Sequence, residues 1–173
     1  LKWLLKKIKI KKDEKISQFI SISFDVSVCD FYLALCNGSK LFIPDKFDMI
    51  FPGKMLSKNK ITHLVCTPSL IDHIDNSKDL NSNNFRFINK IFFCGEPLYF
   101  KQVKKILKVN SKIEVINAYG PTETTVSVTY CSINKNNYKK LSKKTMSIGK
   151  VIDNSEIILV DRNLKINSKE GEL

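Results

Sequence analysis

The sequence predicts an α/β fold of mostly parallel sheets covered by helices, and three observations carry that prediction. Short apolar runs rich in β-branched and aromatic residues alternate in regular order with helical patterns. That βαβα order sets strands side by side in parallel, with helices over the sheet faces. Prolines, glycines and polar loops punctuate the runs, so each apolar segment ends where a strand or helix should. At 173 residues, with 43% hydrophobic and 10% aromatic content, the chain can bury one sizeable core and has an ordinary globular composition.

The elements follow in order. LKWLLKKIKIKK (1–12) sets Leu1, Leu4, Leu5 and Ile8 at helical spacing with lysines between them. This is a basic amphipathic helix whose apolar stripe packs on a core while its lysines face water. KISQFISISF (15–24) reads as a strand. SVCDFYLALCNG (27–38) reads as a helix, with Gly38 just past its end. KLFIP (40–44) is a short buried strand stopped by Pro44. Residues 46–60 are a poor helix, because Pro52 and Gly53 interrupt it. Next come a strand over 61–67, a helix opening on Pro68, a polar loop over 78–86, a strand over 87–94, an amphipathic helix over 98–109 and a strand over 112–119. Beyond Gly120 the pattern changes. Residues 125–133 alternate at period two, 135–144 form a polar excursion, and 156–164 read as a strand ending in a turn led by Asp161.

Composition excludes several classes of function. No run of 18 uncharged apolar residues exists and no signal-peptide pattern precedes the body of the chain, which predicts a cytoplasmic protein without membrane insertion. Five cysteines (Cys29, Cys36, Cys66, Cys94, Cys131) contain no C-x-x-C pair and have two histidines for company, which argues against a zinc site or a disulfide framework. They read as small buried thiols. The net charge of +12 invites a nucleic-acid reading. Against it, only Arg86 and Arg162 are arginines, and no aromatic residues interleave with the lysines to make a stacking platform. The Lys, Asn and Ile bias fits an AT-rich coding sequence, and no nucleic-acid partner is expected.

In open parallel sheets, ligands bind beyond the carboxyl ends of strands. Three polar groups fall at such ends: Asp25 with its neighbours, Gly95 with Glu96 and Pro97, and the stretch NAYGPTE over 117–123. By itself Asp25 reads as a helix N-cap, and Glu96 as a carboxylate complementing a helix dipole. The third group is harder to explain structurally. A turn with its φ fixed at Pro121 presents Thr122 and Glu123 as a hydroxyl beside an anionic oxygen, which suits phosphate and Mg²⁺. The six glycines are never clustered, so neither a Walker nor a Rossmann phosphate loop is present. No nucleophile elbow supports hydrolase chemistry, and both histidines sit on apolar segments that favour packing.

NAYGPTETT (117–125) resembles the adenine-binding motif of adenylate-forming enzymes, the superfamily of acyl- and aryl-CoA synthetases, luciferases and peptide-synthetase adenylation domains. Three further segments resemble that family in its own order: SFDVSVCDFYLALCNGSKL (23–41), ITHLVCTPSL (61–70) with FFCGEPL (92–98), and residues 147–173. The aspartate of FDVSV is similar to the amino-acid-activating branch, where it implies that Asp25 holds the substrate ammonium. SVCDFY, FFCGE and TVSVTY are similar to D-alanine:D-alanyl-carrier-protein ligases, which implies that Cys94 and Val126 line a small pocket. Val26, Cys29, Val65, Phe92 and Ala118 match side-chain-pocket positions of peptide-synthetase adenylation domains. An uncharged substrate side chain follows, with D-alanine the first expectation and a larger apolar amino acid the alternative.

The resemblance implies the remaining roles. Tyr119 stacks on adenine, Asn117 bonds its edge, and the backbone of Gly95, Glu96 and Pro97 flanks the base beside Ala118, Gly120 and Pro121. Thr122 contacts the α-phosphate as a catalytic group, and Glu123 binds Mg²⁺. The implied reaction joins an amino-acid carboxylate to the α-phosphate of ATP, then passes the aminoacyl group to a phosphopantetheinylated carrier protein. The family's phosphate loop, ribose-binding aspartate and catalytic lysine have no counterpart in residues 1–173. The expectation is therefore the central part of a large N-terminal domain, truncated at both ends, with the small C-terminal domain absent and no activity of its own. A non-catalytic remnant is the other reading.

Overall fold

The computed structural model describes residues 2–142, 144–161 and 166. Six α-helices and seven strands are named among them: α1 (Lys2–Ile8), β1 (Lys15–Gln18), α2 (Ser27–Asn37), β2 (Lys40–Phe42), α3 (Lys46–Ile50), α4 (Pro52–Lys58), β3 (His63–Cys66), α5 (Pro68–Asn76), β4 (Lys90–Phe93), α6 (Phe100–Val109), β5 (Glu114–Tyr119), β6 (Thr129–Ile133) and β7 (Lys150–Val151). They form a mixed sheet in the order β2-β1-β3-β4-β5-β6-β7. The first five positions pair in parallel, while β6 runs antiparallel to β5, and β7 to β6. The mostly parallel α/β expectation therefore holds, and the period-two stretch after Gly120 supplies the antiparallel edge.

Alternation along the strands divides the core in two. Leu64, Cys66, Ile91, Phe93 and Val115 face α4, α5 and α6, where Leu56, Ile71, Ile74, Val103 and Ile106 meet them. Ile16, Val65, Phe92, Cys94, Ile116 and Ala118 face α1 and α2, packing on Trp3, Leu4, Cys29 and Leu33. Each fully buried side chain of leucine or phenylalanine size contributes about 1.5–3 kcal/mol over an exposed one. Gly38, at φ 61°, ends α2 in a left-handed turn whose N–H returns to the helix carbonyls.

Several expectations are corrected. The strand expected over 15–24 ends at Gln18, because residues 21–24 turn back toward α2. β2 is an edge strand of exposed and half-buried residues, not a buried one. The single helix expected over 46–60 is two: Asp45 caps α3 through Asp48, and Pro52 opens α4, where its missing N–H costs no hydrogen bond. β6 begins at Thr129 rather than 125, since Thr125 and Val126 have φ of 63° and 75°, which no strand accommodates. No named strand covers 156–161; Val160 makes one isolated bridge to Ile166, and 162–164 lie outside the described residues.

Candidate functional site

The carboxyl ends of β4 and β5 open into a cavity of about 450 Å³. Gly95, Glu96 and Pro97 form one wall, and Asn117, Ala118, Tyr119, Gly120 and Pro121 form another. Gly95 turns the chain sharply at φ 92°, a conformation that favours glycine. Tyr119 is 39% exposed and lines the cavity, where an aromatic ring can stack on a planar ligand. Asn117 is buried, and its Nδ2 donates to the Ser147 carbonyl at 3.0 Å. Among the described residues nothing donates to its Oδ1.

The third wall, Thr145, Met146 and Ile148, was not foreseen from the sequence. It follows directly on the polar excursion and is stitched into place by the Met146 N–H donating to the Leu98 carbonyl at 2.8 Å. Local pattern carries no signal of such a long-range tie. Glu96 contributes backbone to the cavity while its carboxylate accepts from the Ser69 N–H and Oγ, both at 2.9 Å. It thereby complements the N-terminal end of α5 rather than a helix of its own.

Thr122 and Glu123 sit on a 3₁₀ turn (Thr122–Thr124) that follows Pro121. Both are exposed, and neither lines the cavity. The loop is held tightly. The Val128 N–H donates to the Tyr119 carbonyl at 2.8 Å, and Thr124 Oγ1 donates to the Pro121 carbonyl at 2.9 Å. A Cβ on Gly120 would lie 2.6 Å from Ser127 Cα and 2.7 Å from the Val126 carbonyl, so the loop can close only over glycine.

On the sheet face beneath α2 lie the other candidates. Val26, Cys29, Val65, Phe92, Cys94, Ala118 and Val126 all belong to one buried cluster, so the structure brings together every apolar position singled out from the sequence. Asp25 is half-buried at its edge and is not a cap: the N-cap of α2 is Val26, without a side-chain bond. Asp25 Oδ2 is buried and has no partner among the described residues. Asp25, Cys29 and Cys94 lie near enough to act on one another. Burial first, then Asp30, Cys94 and Asp25, push the Cys29 thiol up to about 12. Burial also raises Cys94, an effect that Ser127 and the Gly95 backbone partly offset. Both thiols are neutral at physiological pH and act as packing surface rather than nucleophiles.

Two further residues of this region escaped the sequence reading. Ser127 is buried, and its Oγ has no partner of good geometry among the described residues. Asp30 is wholly buried on α2, with no hydrogen-bond partner of good geometry for either carboxylate oxygen among the described residues. Burial raises it to about 8, offset only in part by the Ile20 backbone. Its place one turn beyond Asp25 looked like an ordinary helix position. Of the two histidines expected to pack, His63 is buried with Nδ1 against Thr62 Oγ1, whereas His73 is exposed, because its side of α5 faces solvent, and its Nε2 meets the Ile50 carbonyl.

A carboxylate without a counter-charge among the described residues, an apolar wall and a cavity beside Tyr119 share the carboxyl end of the parallel strands, which is the usual ligand end of such folds. The chain matches the family described as AMP-binding enzyme over residues 2–173, and it belongs to that family. It is 31% identical over 171 residues to gramicidin S synthase 1 of Brevibacillus brevis, covering 96% of this chain and 14% of the synthase. It is 33% identical over 158 residues to the D-alanine--D-alanyl carrier protein ligase of Lacticaseibacillus casei (strain BL23), covering 87% of this chain and 30% of the ligase. Among solved structures, the Vibrio cholerae adenylation domain AlmE in complex with glycyl-adenosine-5'-phosphate matches with a TM-score of 0.86 at 21% identity, over 95% of this chain and 30% of that one. The chain thus spans less than a third of each of these relatives.

Proposed function

We propose that this chain supplies the adenine-binding and amino-acid-selecting walls of an amino-acid adenylating ligase. The observation that carries the reading is the buried Asp25 Oδ2, without a partner among the described residues, at the same sheet end as the cavity between Gly95 and Tyr119. In this reading the Asp25 carboxylate takes the substrate ammonium. An acid lacking the amine would leave that carboxylate unpaired, which makes the pair a source of selectivity. The adenine lies in the cavity against the Tyr119 ring, and Asn117 Oδ1 accepts from its amino group. Thr122 donates to the α-phosphate.

The substrate carboxylate oxygen bonds to the α-phosphorus as the α,β-bridging P–O bond breaks, and pyrophosphate leaves. Positioning two anions and neutralising their charge supplies most of the acceleration in such a step. Among the described residues no three acidic, histidine or cysteine groups cluster as a metal cage. Glu123, exposed and a lone carboxylate, fits Mg²⁺ of the kind held by one or two carboxylates plus nucleotide phosphates. When bound, that ion neutralises phosphate charge. The aminoacyl group then passes to a phosphopantetheine thiol of a carrier protein, and the enzyme works in the cytoplasm, where ATP is supplied.

The experiment is amino-acid-dependent exchange of pyrophosphate into ATP by the whole protein. Exchange is expected with an uncharged amino acid, and Asp25→Asn should reduce it at least about 100-fold, as the loss of a buried charge partner implies. Absence of exchange with every amino acid, D-alanine included, would overturn the proposal. Residues 1–173 alone are proposed to form a partial adenylation domain that gives no exchange.

A further inference from the structure

We propose, on the basis of the adenylation reading, that the substrate side chain is bulky and apolar, of leucine to phenylalanine size, and lodges against helix α1. A second cavity, of about 140 Å³, borders Cys29 and Val126 and reaches Trp3 and Leu4 of α1 and Ile152. Cys29 and Val126 belong both to this cavity and to the buried apolar wall beside Asp25, so the cavity continues that wall.

Size and chemistry choose the occupant. An apolar cavity of about 150 Å³ accepts a benzene ring, so this one has room for a phenyl or isobutyl group. An alanine methyl would leave most of it unfilled. Among the described residues no charged group lines it, Thr125 and Ser127 being its polar members, so a charged side chain would enter without an ionic partner. The cysteine at position 29 is what leaves the space open, since a larger side chain would fill it. Trp3 is a firm far wall: it is 8% exposed, and its ring packs on Tyr130 at 5.1 Å between centroids. These features favour the larger apolar amino acid over D-alanine, and they make Trp3 and Leu4 specificity-determining residues.

Trp3 is the sole tryptophan of residues 1–173, so the emission lost in a Trp3→Phe control reports on filling of the cavity. The test titrates the whole protein, beside that control, with non-hydrolysable sulfamoyl adenosines carrying alanyl, leucyl or phenylalanyl groups, in both stereochemical forms. The leucyl and phenylalanyl compounds should bind at least about 10-fold more tightly than the alanyl ones, the scale of a methylene's worth of selectivity, and should shift Trp3 emission. In Cys29→Phe, with folding checked by circular dichroism, that preference should disappear. Alanyl compounds binding equally well, or large ones binding without any Trp3 response, would overturn the inference while leaving adenylation standing. If no compound binds and ATP does not bind either, the adenylation reading fails and takes the inference with it. Should Cys29→Phe not fold, the wild-type series alone decides.

Discussion

At the scale of single residues, the two aspartates of the α2 region differ in what their surroundings ask of them. Asp25 keeps one oxygen buried and unpartnered at the edge of the apolar wall, whereas Asp30 is enclosed on all sides. Burial lifts the Asp30 carboxyl to about 8 from the ordinary 3.8. The folded chain therefore keeps a proton that the unfolded chain releases. The stability linked to this group is complete below about pH 4 and is lost as pH rises toward about 8, at roughly 1.4 kcal/mol per pH unit. Asp30→Asn cannot ionise, so its unfolding midpoint in urea should vary less between about pH 5 and pH 7 than that of the wild type. An equal slope in both proteins would place the titration elsewhere. The sequence marked Asp25, because it follows a strand and matches a motif. Asp30 carried no local signal, since its burial depends on strands and on a helix brought together from distant parts of the chain.

Among the elements, pattern located α1, α2, α5, α6 and the parallel strands but merged α3 with α4, because burial on one or both faces imposes a periodicity and α3 buries nothing. It misplaced the start of β6. Alternation over 125–133 is genuine in the sequence, but the close approach at Gly120 forces Thr125 and Val126 into left-handed backbone that costs of order 1–3 kcal/mol each. Apolar pattern does not encode backbone crowding. It also promoted 156–161 to a strand, where the structure gives Val160 an isolated bridge. Gly120→Ala tests the crowding directly. The added methyl should destabilise the chain by about 1–3 kcal/mol, as overpacking does. In a domain of this size that lowers the melting temperature by ~2–4 °C per kcal/mol. AMP binding should weaken as well, since the same loop carries Tyr119. Calorimetry and a nucleotide titration check both, and a variant matching the wild type in each would remove the steric argument.

Taken whole, the molecule exposes large apolar side chains. Phe24, Leu35, Ile43, Phe47 and Ile50 are each more than half exposed, and β2, which Ile43 follows directly, is an edge strand. Such surface and such edges promote association. The 173-residue chain should therefore associate as its concentration rises. The double variant Leu35→Glu, Ile43→Glu should remain monomeric to higher concentration in sedimentation, and equal association of the two would show that these side chains are not responsible. The site was legible in part for the same reason that the fold was. Residues from 95–97 and 117–121 come from strand ends, which a sequence marks by its turns, while the wall at 145–148 arrives through hydrogen bonds spanning 30 residues or more.

That long-range tie has a consequence for which nucleotide this family member would accept. A backbone carbonyl can only receive a hydrogen bond, so the Ser147 oxygen fixes the Asn117 amide with its nitrogen turned that way and its oxygen turned the other. In the proposed pose the free end meets position 6 of the purine. Adenine offers an amino group there, whereas guanine would set oxygen against oxygen. In that pose, preference for ATP over GTP would follow from the polarity of one amide, held from across the cleft.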